Sequence, residues 1–184
     1  QHTLGDLARS EGHVLTNLLA MEVQFLTEAS QTVSQEDFDR AVDILLGGER
    51  IFAYASGPSD VLARLAELRF RRLGILTIAM TESSRHLLEK LQLLQPGDAV
   101  LVAGFHIARP ELVAVLEHAR ATGCRSILLT DTLGITLRDK ADVVLAARRG
   151  PVSTFHSLTV PMAILNALIL AVASARPEES LAAL

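Results

Sequence analysis

From residue 48 onward the chain alternates short, almost wholly apolar runs with longer stretches of helical periodicity, and no other feature of the sequence narrows the fold as far. The runs are Arg50 to Ala55, Ile75 to Met80, Ala99 to Ala103, Ser126 to Thr130 and Val143 to Ala146. A strand that is apolar at successive positions has to be covered on both faces, as the strands of a parallel sheet are. Helical patterns fill the gaps: Pro58 to Leu73, about Ser84 to Leu94, Pro110 to Thr122, a short piece near Ile135 to Lys140, and Phe155 to Ala175. Gly74, Gly97 and Gly123 stand where helices return to strands. The expected fold class is therefore α/β, a three-layer, doubly wound, five-stranded parallel sheet.

Composition agrees with one such domain. Of 184 residues, 49% are hydrophobic and 21% charged, which supplies a sizeable core and excludes both disorder and a stapled mini-fold. Cys124 is the single cysteine, so an internal disulfide and a cysteine-based zinc site are ruled out and a reducing, cytoplasmic setting is expected; separately, no cofactor or metal is expected. No N-terminal stretch has the order of a signal peptide. Leu158 to Val172 is apolar, but it is shorter than a bilayer span and contains Pro161 and Asn166, so it reads as a buried core helix and no membrane contact is expected. The net charge is −4, with Lys and Arg dispersed apart from Arg69, Arg71 and Arg72, which is not the footprint of a nucleic-acid-binding surface.

Residues 1–47 read as an N-terminal helical extension ahead of a domain spanning 48–184. Leu4, Leu7, Val14, Leu18, Met21 and Phe25 fall on a 3/4 spacing interrupted at Glu11, and Leu15, Leu19 and Leu26 form a second stripe. A helix apolar on two sides packs on its own body and on something else, here a second subunit or a further segment. A homodimer or a dimer of dimers is expected, using this helix and the Phe155 to Ala175 helix. Ser34, followed by Glu36 and Asp37, caps a second helix that Gly47-Gly48 stops.

In an open parallel sheet the ligand crevice lies beyond the carboxyl ends of the strands. That rule selects five loops: residues 55–59, 81–83, 104–109, 130–132 and 153–156. In the first, Gly57 permits a tight turn, Pro58 suits a first helical turn, and Ser56 and Ser59 add hydroxyls near free amides. This chemistry serves either an anion cradle or simply a well-capped strand-to-helix turn. It is neither the P-loop pattern nor the dinucleotide fingerprint.

The run I-F-A-Y-A-S-G-P-S-D-V-L-A at 51–63 resembles the opening strand and serine-bearing loop of the sugar isomerase (SIS) domain. The resemblance extends through G-D-A-V-L-V at 97–102, A-R-A-T-G-C-R-S-I-L-L-T-D at 119–131 and L-R-D-K-A-D-V-V-L at 137–145, covering roughly residues 48 to 175. It implies the strand order 2-1-3-4-5. Residues 1–47 are similar to the helices that join a DNA-binding domain to a phosphosugar-sensing SIS domain in RpiR-type transcriptional regulators, and nothing in the chain resembles the DNA-binding domain itself.

Carried over by position, Ser59 matches the family's phosphosugar-contacting serine, with Ser56 and Gly57 in the same loop. The loop after strand three departs from the family's S-x-S-G-x-T-x-E: it reads G-F-H-I-A-R-P-E from Gly104 to Glu111. Gly104, His106 and Arg109 replace the usual Ser, Ser and Thr, which removes three hydroxyls, while Arg109 brings a forked cationic donor and His106 a titratable one. Thr130-Asp131 matches the family's strand-four ending and either shapes that loop or touches ligand. Ser153, Thr154 and His156, ahead of the last helix, either cap it or close the pocket. The resemblance thus implies a non-catalytic sensor of a sugar phosphate or other acidic sugar derivative, acting on DNA only through a domain outside this chain. Ligand binding would shift the packing of the N-terminal helices or the partner subunit. The alternatives are an aldose–ketose isomerase working through Glu82, His106 or His156, and a ligand-free dimerisation module.

Overall fold

The computed structural model describes residues 13–82, 85–146, 148–149 and 156–176. Its sheet has five parallel strands, β1 (Ile51–Ala55), β2 (Thr77–Met80), β3 (Ala99–Ala103), β4 (Arg125–Thr130) and β5 (Val143–Ala146), in the order β2-β1-β3-β4-β5. Helices connect or precede them: α1 (Val14–Thr32), α2 (Gln35–Gly47), α3 (Asp60–Arg72), α4 (Arg85–Leu91), α5 (Pro110–Thr122), α6 (Gly134–Leu137) and α7 (Thr159–Ala175). The doubly wound fold and strand order follow the expectation.

Alternate side chains of each strand point to opposite faces, so each apolar run feeds two cores. Ile51, Ala53 and Ala55 of β1, with Ala99, Leu101 and Ala103 of β3, face α1, α2, α3 and α7. Phe52 and Tyr54, with Val100 and Val102, face α4 and α5. The first face is rich in alanine, which lets α2 and α3 lie close to the strands; the second carries the larger rings. α7 buries one side, with Val160, Ile164, Leu165, Leu168 and Val172 in the first core, and leaves the other, with Ala163, Asn166 and Leu170, exposed, so the core helix expected at 158–172 is buried on one side only. Among the described residues no helix is long and apolar enough to cross a membrane.

Two boundaries moved for local reasons. β2 begins at Thr77 rather than Ile75, because the Ile75 N–H donates to the Phe70 carbonyl and the Gly74 N–H to that of Arg71. This is a Schellman ending of α3, and it takes Gly74 at φ +75°. α7 begins at Thr159 rather than Phe155: the Thr159 N–H donates to the Ser157 hydroxyl at 3.0 Å, marking the true start. At the other end, α1 runs on to Thr32, and Ser34 caps α2 by accepting from the Asp37 N–H at 3.2 Å. Residues 1–12, with the Leu4 and Leu7 end of the first stripe, lie outside the described residues.

Candidate functional site

Ala55 is paired with Ala103, Ala103 with Leu129, and Thr130 with Ala146, so the loops after β1, β3, β4 and β5 leave one edge of the sheet together. Strand order reverses between β1 and β3, and the crossovers there depart to opposite faces, leaving a crevice. A cleft of about 810 Å³ opens at this point. Ser56 and Ser59 line it from the β1 loop, His106 and Arg109 from the β3 loop, and His156 from the segment before α7. Among the described residues no carboxylate lines it.

Each wall residue is set by local structure. Gly57 turns the chain at φ +61°, a left-handed conformation suited to glycine, into one 3-10 turn that precedes α3. Neither Ser56 nor Ser59 spends its hydroxyl on capping. Ser56 instead lies against the Tyr54 phenol: burial pushes that phenol above its usual pKa, and the hydrogen bond to Ser56 offsets part of the rise. Arg109 immediately precedes α5 in extended backbone, is exposed, and caps nothing with its side chain. Its guanidinium is therefore available at the cleft.

His106 has φ +66°, which costs a non-glycine residue about 1 kcal/mol. Its N–H donates to Asp131 Oδ1 at 2.9 Å, and that bond holds the turn. Its ring stands 5.4 Å from that of His156, centroid to centroid, tilted by 34°.

Gly57 faces mainly a neighbouring cavity of about 260 Å³, which shares Ser56 and Arg109 with the main cleft and adds Tyr54, Glu82 and Glu111. The Glu82 carboxylate is 2.8 Å from Lys90 Nζ, and this contact holds it below the usual carboxylate range. Thr130 lies off both cavities: it is fully buried and its hydroxyl donates to the Gly104 carbonyl at 2.6 Å, so its observed part is to fix the start of the β3 loop. A Cβ built on Gly104 would stand 1.8 Å from Cδ1 of Leu112, so α5 fills the space a serine side chain would take there. Ser153 and Thr154 lie outside the described residues.

The sequence reading passed over Arg149. It follows β5, lines the cleft, and is 6% exposed. Its guanidinium stacks 3.9 Å above the Phe105 ring and its Nη2 lies 3.4 Å from Asp131 Oδ2. Burial pulls this arginine below its usual pKa, against the pull of Asp131. The signal was available: the carboxyl-end rule that selected the other loops applies equally to residues 147–149.

These features define an open α/β domain with a crevice at its topological switch point. The SIS domain family profile matches residues 44–171, and the chain belongs to that family. It is 32% identical over 134 residues to the bifunctional protein glk of Paraburkholderia xenovorans, covering 70% of this chain and 20% of that protein. It is 27% identical over 116 residues to an HTH-type transcriptional regulator of Clostridium perfringens, covering 61% and 41%. The chain thus spans about a fifth of the length of the first of these curated relatives and under half of the second.

Among solved structures, the sugar isomerase domain of an RpiR transcription factor from Sphaerobacter thermophilus superposes with TM-score 0.86 at 24% identity, covering 93% of this chain and 96% of that one. The Vibrio vulnificus NanR protein complexed with ManNAc-6P gives 0.79 at 20% identity, over 95% and 67%. Phosphoheptose isomerase from Neisseria gonorrhoeae gives 0.72 at 15%, over 86% and 97%. At these identities the likeness is one of fold.

Proposed function

We propose that this chain is the ligand-sensing SIS domain of an RpiR-type, DNA-binding transcriptional regulator, and that it takes a phosphosugar or other acidic carbohydrate derivative into the cleft. One observation carries the reading: Arg109, Ser56 and Ser59 converge on a cleft whose described walls hold no carboxylate. Ser59 and Arg109 hold the anionic end, a hydroxyl and a forked cation being suited to phosphate or carboxylate. The likeness to a domain of a transcription factor and to a ManNAc-6P complex supports the regulator and the ligand class. DNA contact belongs to a helix-turn-helix domain beyond this chain, and the setting is cytoplasmic.

Against a mere dimerisation module stands the open cleft, which Phe105 and Ile107 line without filling; Ile107 is 59% exposed. Against isomerase chemistry stands Glu82, which lies off the main cleft and is neutralised by Lys90. The one observation favouring an isomerase is the His106–His156 pair, since a proton shuttle between adjacent carbons needs a base at the sugar.

A thermal-shift screen of sugar phosphates, sugar acids and amino sugars tests the reading, because a ligand bound only by the native state raises the melting temperature. For the best hit, Arg109→Ala is expected to weaken binding by about 1.5–3 kcal/mol in titration calorimetry, and Ser59→Ala by less. Unchanged affinity in both variants, or a neutral preferred ligand, overturns the assignment. Turnover of a bound phosphosugar, lost in His156→Asn, would decide for the isomerase.

A further inference from the structure

Arg149 is left with an unmet need. Its side chain is 94% buried, and its Nε has no hydrogen-bond partner among the described residues. Among the described residues its charged partner is Asp131, which is a loose 3.4 Å away and already accepts the His106 N–H through its other oxygen. The face of Phe105 supplies the remaining attraction. A buried donor with nothing to bind is costly, and native proteins keep few of them. Arg149 follows β5 and lines the cleft, whereas Arg109 stands at the start of α5.

On the reading that the cleft binds an acidic sugar, we propose that Arg149 is a second anion receptor, and that the preferred ligand class is a sugar derivative with two anionic groups. Arg109 and Ser59 take one group. Arg149 takes the other, a planar carboxylate or a further phosphate, with the guanidinium nitrogen that Asp131 holds. In the empty protein Asp131 acts as a weak internal counter-ion. The entering anion replaces it, and the released carboxylate keeps its bond to the His106 N–H. Binding at Arg149 is thereby linked to the left-handed turn of the β3 loop.

The test uses two probes that share a phosphate and differ at the far end, glucose 6-phosphate and 6-phosphogluconate, titrated into the wild-type chain, Arg149→Gln and Asp131→Asn. Wild type is expected to bind 6-phosphogluconate about tenfold or more tightly than glucose 6-phosphate, the effect of one charge-assisted contact. Arg149→Gln should abolish that preference, lowering 6-phosphogluconate affinity about tenfold more than glucose 6-phosphate affinity. Asp131→Asn keeps an oxygen for the His106 N–H and removes the competing charge, so it should tighten 6-phosphogluconate binding severalfold. A merely structural Asp131 would instead loosen it. This second variant also decides the matter if Arg149→Gln fails to fold. Equal affinity for the two probes in wild type overturns the second receptor and leaves the sensor reading standing. Binding of neither probe, with a singly anionic sugar as best hit of the thermal-shift screen, overturns the second receptor alone; no acidic hit in that screen overturns both.

Discussion

At position 104 a missing methyl group decides what the β3 loop can offer a ligand. The family's loop opens with serine, and here the equivalent space holds the end of Leu112, so glycine is the residue that fits. Gly104→Ser should therefore destabilise the fold by about 1–3 kcal/mol in urea denaturation, the usual cost of overpacking. Leu112→Ala in the same chain should cost less than it does alone, since the cavity it leaves accommodates the new hydroxyl. A neutral Gly104→Ser would mean that Leu112 swings aside freely and that steric exclusion does not explain the altered motif. Residues of this kind were legible only in part. Ser56, Ser59, His106 and Arg109 follow from the rule that loops at strand carboxyl ends line the crevice. Arg149 follows from the same rule applied to the loop after β5, but its part does not, because that comes from Phe105 and Asp131, distant in sequence.

Elements were legible where one local signal dominated. β3, β5 and α5 have the bounds that apolar runs and an initial proline indicate, whereas β2 lost its first residues to the Schellman ending of α3. Side-chain ties between elements are beyond any such pattern. The clearest joins the amino-terminal ends of β1 and β3, where the Asp98 carboxylate, 1% exposed, accepts from Arg50 Nε at 2.9 Å and Nη2 at 2.6 Å. It also accepts the Gln95 N–H at 2.8 Å. Arg50 is held above its ordinary pKa chiefly by that hydrogen bond, and it stays charged throughout the working range. Arg50→Ala strands a buried carboxylate and should cost about 3–5 kcal/mol in a urea melt. A loss under 1 kcal/mol would show that water reaches Asp98 once the arginine is gone.

At the scale of the whole molecule, the described residues leave an apolar ridge exposed on α1. Leu15, Leu19 and Val23 recur every fourth residue along α1 and are 69%, 55% and 62% exposed, and Leu170 of α7 is 66% exposed. Residues at this spacing share one face, so they make a ridge rather than scattered spots. The chain is expected to be a dimer or a dimer of dimers by light scattering at tens of micromolar, and Leu19→Glu should shift it towards monomer without lowering its melting temperature by more than a few degrees. A wild-type monomer at that concentration would leave the ridge without a purpose.

α7 bears on how far an event in the cleft can travel. Thr159 and Met162 near its start line the cleft, while its body packs against α1 and α2. Its 17 residues make a rod of roughly 25 Å. Such a rod is a lever arm: pivoting it by about 5° at the ligand end carries the far end about 2 Å across the N-terminal helices, a distance comparable to the helix shifts that repack subunit interfaces.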